Sequence, residues 1–236
     1  MAEPSIRVVL VRPRNPLNIG AAARAMANFG LSDLVLVSPY DDAWHTARSA
    51  RAGAAVLKAA RTVPCLADAV AACNLVIGTT AGTARSPELP LEDWPAVAAS
   101  LPATTVALLF GSEKTGLSIE DLSHCQRLAR IGTAQDAPSM NLGQAVAVCA
   151  YELARQPSAP APTAQRLAGD AQRELVLQAW QPLLEDLGVT QGQHRPSQTR
   201  FLRQMLGRWA LRPSDSQRLL GIARQIRHRL RAPNRP

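Results

Sequence analysis

Acidic side chains are scarce where basic ones are dense. Residues 161–236 hold 13 arginines against 5 Asp/Glu, while residues 1–160 balance 13 Lys/Arg against 13 Asp/Glu. The net charge of +8 therefore lies wholly in the last third of the chain. A basic region on a neutral body fits a phosphate-backbone partner. A solvated helical face, a solubility device or an acidic protein partner fits it equally well. Cysteine is sparse too. Cys65, Cys73, Cys125 and Cys149 form no C-x-x-C pair, and His45, His124, His194 and His228 are scattered. That spacing argues against a metal site or a disulfide framework, and the thiols read as structural. No apolar run approaches the roughly 20 residues that cross a bilayer; residues 145–151 are among the longest. Glu3 and Pro4 stand where a signal peptide would be basic and then apolar. A cytoplasmic protein with no membrane or metal partner is expected.

What is present is a regular alternation. Short apolar runs at residues 6–11, 34–37, 75–77 and 106–110 read as buried strands. Helical patterns over 21–29, 46–57 and 66–72 separate them, the first ending at Gly30 as a C-cap. This order predicts an α/β domain with a largely parallel sheet. Ser118 precedes Glu120 and Asp121 as the N-cap of a short helix over 118–125. Residues 128–131 read as a last short strand and 142–154 as a closing helix. Proline and alanine then mark a linker over 156–166. Beyond it only helical patterns follow: 164–187 with a break near Pro182, 198–209, and a last helix opening on Ser214-Asp215-Ser216-Gln217 as a capping box. In the middle helix Phe201, Leu202, Met205 and Leu206 share one stripe, with Arg200, Arg203 and Arg208 largely elsewhere. The predicted organisation is a domain over 1–155, the linker, and a basic helical extension over 167–236.

Three segments carry the chemistry. In the first, a strand runs through Asn15-Pro16-Leu17-Asn18-Ile19-Gly20 into an alanine-rich helix whose one charge is Arg24. A strand opening onto a small-residue helix is a common place for anionic groups, because free N–H groups converge there. In the second, an apolar strand ends in Phe110-Gly111-Ser112-Glu113-Lys114-Thr115-Gly116-Leu117, where the two glycines remove side chains from a tight loop. In the third, a polar loop passes from Ile131 through Ser139-Met140-Asn141-Leu142 into another small-residue helix. Singly, each has an ordinary explanation: a salt-bridging surface arginine, a strand–helix connection, capping residues.

Together, in this order and spacing, the three segments resemble the SPOUT superfamily of methyltransferases, and within it the TrmH/TrmJ group of RNA 2′-O-methyltransferases. Thr79-Thr80-Ala81 resembles a further loop of the TrmJ branch, and the helical tail, with Arg200–Arg212 and the capped helix from Ser214, resembles the C-terminal extension of that branch. Leu17 stands where that pattern commonly has glycine, and Ser112 where the branch often has arginine. The resemblance covers roughly residues 5–155. It implies a SPOUT-type α/β fold, a parallel sheet with a C-terminal trefoil knot, carrying a small all-helical extension. It further implies S-adenosylmethionine as cofactor, bound by Thr79, Thr80, Ala81, Gly111, Ile131, Ser139, Met140 and Asn141. By the same resemblance Arg24, Asn18, Ser139, Asn141 and Glu113 form the catalytic set. Arg24 steers the ribose and stabilises developing alkoxide charge, Asn141 and Ser139 fix Arg24 and the ribose, and Glu113 braces the loop or the dimer. The implied reaction is 2′-O-methylation of cytidine or uridine 32 in the tRNA anticodon loop by a homodimer, without metal. Another ribose, in tRNA or ribosomal RNA, and an RNA-binding relative without activity are the alternatives. The basic tail either engages the tRNA backbone or completes the dimer.

Overall fold

The computed structural model describes residues 4–40, 44, 53–81, 89–155, 167–189, 195–209 and 211–231. Seven strands form one sheet: β1 (Ser5–Val11), β2 (Asp33–Val37), β3 (Arg61–Val63), β4 (Leu75–Thr79), β5 (Leu91–Asp93), β6 (Thr105–Phe110) and β7 (Arg127–Arg130). Their order is β3-β2-β1-β6-β4-β7-β5, with every pairing parallel. Around them lie α1 (Pro16–Asn28), α2 (Ala54–Ala59), α3 (Leu66–Val70), α4 (Trp94–Ala99), α5 (Ile119–Ser123) and α6 (Leu142–Arg155).

The alternation of side chains along each strand divides the core in two. Val8, Leu10, Leu34, Leu36, Ile77, Val106 and Leu108 pack with α1, α2, α4 and α6 on one face. Val9, Val11, Val35, Val76, Ala107, Leu109 and Leu128 pack with α3 and α5 on the other. Strands covered on both faces read as unbroken apolar runs, which is why β1, β2, β4 and β6 are visible in the sequence. The outer strands β3 and β5 are not. Each has three residues, Arg-Thr-Val and Leu-Glu-Asp, with too little apolar content to register.

Several element boundaries differ from expectation. Helix α1 starts at Pro16, not after the Pro/Asn/Gly stretch: Asn15 caps it by accepting from the Leu17 N–H at 2.9 Å, and proline fits its first position. Gly30 closes it at φ +74°, with Leu31 N–H donating to Met26 O at 2.9 Å. Of the helix expected over 46–57, only the part from Gly53 onward is among the described residues. The linker 156–166 lies outside them. Ser118 does cap α5, in a reciprocal box with Asp121. Three thiols are buried, Cys73, Cys125 and Cys149, and burial pushes the Cys73 thiol up to about 11; Cys65 is exposed.

The tail comprises α7 (Asp170–Asp186), α8 (Arg195–Arg208) and α9 (Pro213–Arg231). Helix α7 runs through Pro182 without interruption. Helix α9 begins one residue before Ser214, and its returning carboxylate is Asp215, which accepts from Arg212 N–H at 3.0 Å. Val176, Leu177 and Leu206 form a third, smaller core with Trp180, Leu202 and Leu219. Phe201 is instead left exposed. The tail is fastened to the α3–β4 turn through backbone bonds from Asp170 N–H to Cys73 O (3.0 Å) and Ala171 N–H to Ala71 O (3.2 Å). Buried Arg173 donates to Ala168 O at 2.7 Å and faces Asp170 at 3.3 Å. Arg203 turns inward to Glu120 and Glu174. Part of the basic excess therefore holds the tail to the domain.

Helices α1 and α6 lie side by side with their N-termini together, joined at the far end by Phe29 and Tyr151 with ring centroids 5.9 Å apart. At their near end a Cβ on Gly143 would fall 2.6 Å from the Cβ of Ala21. Gly143→Val should therefore force the helices apart and cost about 1–3 kcal/mol, the range for overpacking. Urea denaturation reads this as a lowered midpoint, and an unchanged midpoint would mean the two helices are not in obligatory contact.

Candidate active site

All strands run in one direction, so their carboxyl ends form a single edge, and the loops leaving β1, β4, β6 and β7 meet there. In open parallel sheets ligands bind at this edge. A cavity of ≈ 410 Å³ opens over β4, β6 and β7. A larger, shallower hollow of ≈ 680 Å³ lies at the opposite edge, beside Asn74 and Gln172. The first is the candidate, because the second and third chemistry-bearing segments line it and the first is hydrogen-bonded to both of them beside it.

Its walls come from Thr79 at the end of β4 with Thr80 and Ala81 after it, Phe110 at the end of β6 with the loop 111–117 after it, Ile131 and Thr133 after β7, and Ser139 and Met140 before α6. The Thr79 hydroxyl donates to Leu109 O at 2.8 Å, and Thr80 N–H to Ala129 O at 3.0 Å, so the β4 loop is tied to both neighbouring strands. The β6 loop folds back on itself, Gly116 N–H donating to Ser112 O at 2.7 Å. A Cβ on Gly111 would sit 2.1 Å from Gly116 C, and Gly116 holds φ +65°. Glycine is required at both, for close approach and for the left-handed backbone.

Beside the cavity a polar relay joins the three segments. Glu113 accepts from Arg14 N–H at 2.9 Å, Asn15 N–H at 3.2 Å and the Asn18 amide at 2.8 Å. Asn18 Oδ1 accepts from the Asn141 amide at 3.0 Å, and Asn141 Oδ1 accepts from Gly143 N–H at 3.0 Å. Asn141 is thus committed to the relay and does not line the cavity, whereas the other residues expected to hold a cofactor do. Ser139 is exposed at the rim. Arg24 lies on the solvent side of α1 and makes no hydrogen bond or ion pair with the described residues, so Asn141, whose amide is bonded to Asn18, and Ser139 do not hold it as expected.

Two features were not foreseen from the sequence. Arg12, at φ +51°, forks onto the buried carboxylate of Asp121, tying the end of β1 to α5. Burial raises the Asp121 pKa, but hydrogen bonds from Arg12 and Ser118 outweigh it and hold the carboxyl below its ordinary value. Arg14 stacks on Tyr40. Nothing in the local pattern marks either pair, since the partners are remote in sequence.

An open parallel α/β sheet with a small-residue cavity over its carboxyl edge is the architecture of a protein that binds a nucleotide-like ligand. The chain belongs to the SpoU rRNA Methylase family, which it matches over residues 5–151. It is 43% identical over 160 residues to the tRNA (cytidine/uridine/adenosine-2′-O-)-methyltransferase TrmJ of Pseudomonas aeruginosa, covering 63% of this chain and 60% of that protein. To the tRNA (cytidine/uridine-2′-O-)-methyltransferase TrmJ of Escherichia coli K12 it is 39% identical over 159 residues, covering 63% and 62%. The match thus spans under two thirds of either relative's length. Among solved structures, TrmJ from Zymomonas mobilis ZM4 superposes with a TM-score of 0.85 at 29% identity, covering 94% of this chain and 98% of that one. An AdoMet-bound rRNA methyltransferase from Sinorhizobium meliloti aligns over 64% of this chain and 56% of that one, at 26% identity and a TM-score of 0.51.

Burial raises the Glu113 pKa, but the bonds from Asn18, from its own backbone and from Arg14 and Asn15 prevail, and the carboxyl lies below the ordinary 4.5. A carboxylate lowered in the folded state stabilises it above the unfolded pKa, and that contribution is lost as pH falls through the folded value. Glu113→Gln should melt below the wild type at pH 7, and the gap should narrow as pH drops below 4.5. Equal melting temperatures at pH 7 would show that the charge adds nothing to the fold.

Proposed function

We propose that the chain is an S-adenosylmethionine-dependent RNA 2′-O-methyltransferase of the TrmJ type, acting on the ribose of cytidine or uridine 32 of tRNA. The observation that carries the reading is the relay Glu113–Asn18–Asn141 beside a cavity of ≈ 410 Å³. That volume lies within the range for a ligand of cofactor size. Its glycine-lined wall, where a Cβ at Gly111 has no room, suits a ligand held by backbone groups. The named activities of the P. aeruginosa and E. coli relatives support the same reaction, and the AdoMet-bound S. meliloti enzyme supports the cofactor.

When bound, S-adenosylmethionine supplies a methyl group on a sulfonium, a good leaving group for in-line transfer to the ribose oxygen. What remains for the protein is placement of that oxygen and stabilisation of the charge it gains. Arg24 has no hydrogen-bonding or ionic partner among the described residues, which leaves its donors for the task. It steers the ribose and its phosphate and stabilises the developing alkoxide. Asn18 and Asn141, locked by Glu113, fix the floor on which the ribose rests, and Ser139 contacts it from the rim. The cofactor is held by Thr79, Thr80, Ala81, Gly111, Ile131 and Met140.

The proposal extends to the trefoil knot, to the domain division at 155/167 and to a homodimer. Leu17 and Tyr151 expose 59% and 51% of their surface on the adjacent helices α1 and α6, which supports a face covered by a second copy. On α9, Arg218, Arg224 and Arg229 are exposed and unpaired with the described residues, which supports RNA contact by the tail.

The test is transfer of label from S-adenosylmethionine to total tRNA, with mass-spectrometric mapping of the nucleoside. A 2′-O-methylated pyrimidine at position 32 is expected. Label on another ribose moves the target, and no label on tRNA or ribosomal RNA overturns the enzyme. Arg24→Ala should lower kcat at least about 10²-fold, the scale of one lost transition-state donor, with S-adenosylmethionine affinity by calorimetry unchanged. Full turnover in this variant would remove Arg24 from the mechanism.

A further inference from the structure

The β1–α1 loop carries a feature that methyl transfer leaves unused. The Arg14 guanidinium sits 4.5 Å from the centroid of the Tyr40 ring, and Tyr40 is 74% exposed. The pair is held rigidly from below. Tyr40 N–H donates to Pro13 O at 3.0 Å, and Arg12 N–H to Val37 O at 2.8 Å. Arg12 itself is anchored on Asp121, and Glu113 grips the Arg14 N–H at 2.9 Å. The ordering of both side chains' backbones is therefore complete before any partner arrives.

Neither side chain serves the fold. The ring buries little of its surface, and the guanidinium has no hydrogen-bonding or ionic partner among the described residues. Elsewhere in the domain Arg7, Arg12, Arg127 and Arg130 each hold a carboxylate. Beside the cavity the pattern reverses: Arg14 and Lys114 are exposed and form no ion pair with the described residues. Unspent cations next to an open aromatic face are complementary to a polyanion that carries flat rings.

We infer that Arg14 and Tyr40 form a stacking subsite for a nucleotide of single-stranded RNA flanking the methylated ribose. The base lies on the open face of Tyr40, and its phosphate meets the Arg14 fork. Unpaired RNA bases stack on aromatic rings and guanidinium planes, and the guanidinium fork matches phosphate oxygens. The subsite adjoins the cavity because Glu113, which lines it, also holds the Arg14 backbone. A duplex would not fit this role, since its bases already have both faces stacked. The inference rests on the RNA methyltransferase reading above and adds the position at which the substrate strand is gripped.

The full-length protein, its Arg14→Ala, Tyr40→Ala and Tyr40→Phe variants, total tRNA and labelled S-adenosylmethionine provide the test. The wild type is measured first: absence of both tRNA binding and transfer overturns the RNA reading and the subsite with it. With an active wild type, Tyr40→Ala should raise the KM for tRNA about ten-fold, the scale of a lost base–aromatic stack, with kcat within about two-fold. Tyr40→Phe should stay near wild type. Arg14→Ala should raise the same KM and reduce the salt dependence of log Kd by about 0.7, one single-strand phosphate contact. S-adenosylmethionine affinity should be unchanged throughout. Wild-type KM and salt slope in both alanine variants would overturn the subsite while leaving the enzyme standing. So would a Tyr40→Phe variant as impaired as Tyr40→Ala, or a parallel fall in cofactor affinity.

Discussion

One carboxylate sets the direction of the hydrogen bonds along the relay beside the cavity. Glu113 can only accept, so the Asn18 amide must turn its NH₂ toward it, at 2.8 Å. That leaves Asn18 Oδ1 facing Asn141, which must then donate, at 3.0 Å. Asn141 Oδ1 is in turn left for the Gly143 N–H at the start of α6. An amide alone can flip at small cost, and two in series have several arrangements. A charged acceptor at one end and a backbone donor at the other leave them a single one. The same carboxylate lies against the N-termini of α1 and, through the relay, α6, where helix dipoles favour negative charge.

Close approach is the second constraint, and it explains the residue sizes. The relay spans only hydrogen-bond distances, so α1 and α6 must nearly touch, and at Ala21 and Gly143 they do. On the cavity side, Gly111 lets the β6 loop lie against its own return. The loop then leads directly into α5, which faces two ways. Asp121 holds Arg12 at the end of β1, while Glu120 and Ser123 hold Arg203 of the tail. The extension is thus bonded to the helix that follows the cavity's β6 loop.

Legibility in the sequence follows burial. Strands β1, β2, β4 and β6 are covered on both faces and stand out as apolar runs; β3 and β5 lie at the rims and do not. The small-residue helix α1, though not its start at Pro16, and the Gly111/Gly116 loop were readable because each depends on local geometry. The pairs Arg12–Asp121 and Arg14–Tyr40 depend on which strands become neighbours, and no periodicity carries that. The same holds for the tail. Its arginine excess was visible, but that Arg173 and Arg203 turn inward while Arg218, Arg224 and Arg229 stay out is decided by where α7 docks on the α3–β4 turn. Pro182 misled in the opposite sense, because α7 continues through it.

The strand order also has a consequence for how the protein is made. Of the seven strands β1 is made first, and it lies inside the sheet between β2 and β6, with Ser5 paired to Thr105 of β6. At translation speeds of roughly 5–20 residues per second, the hundred residues between these partners take about 5–20 s to appear. For that time one edge of an almost wholly apolar strand has only β2 beside it and nothing to pair with on the other side. Such an edge is a template for pairing with another chain. Crowded synthesis therefore places its heaviest demand on this protein before the site exists at all.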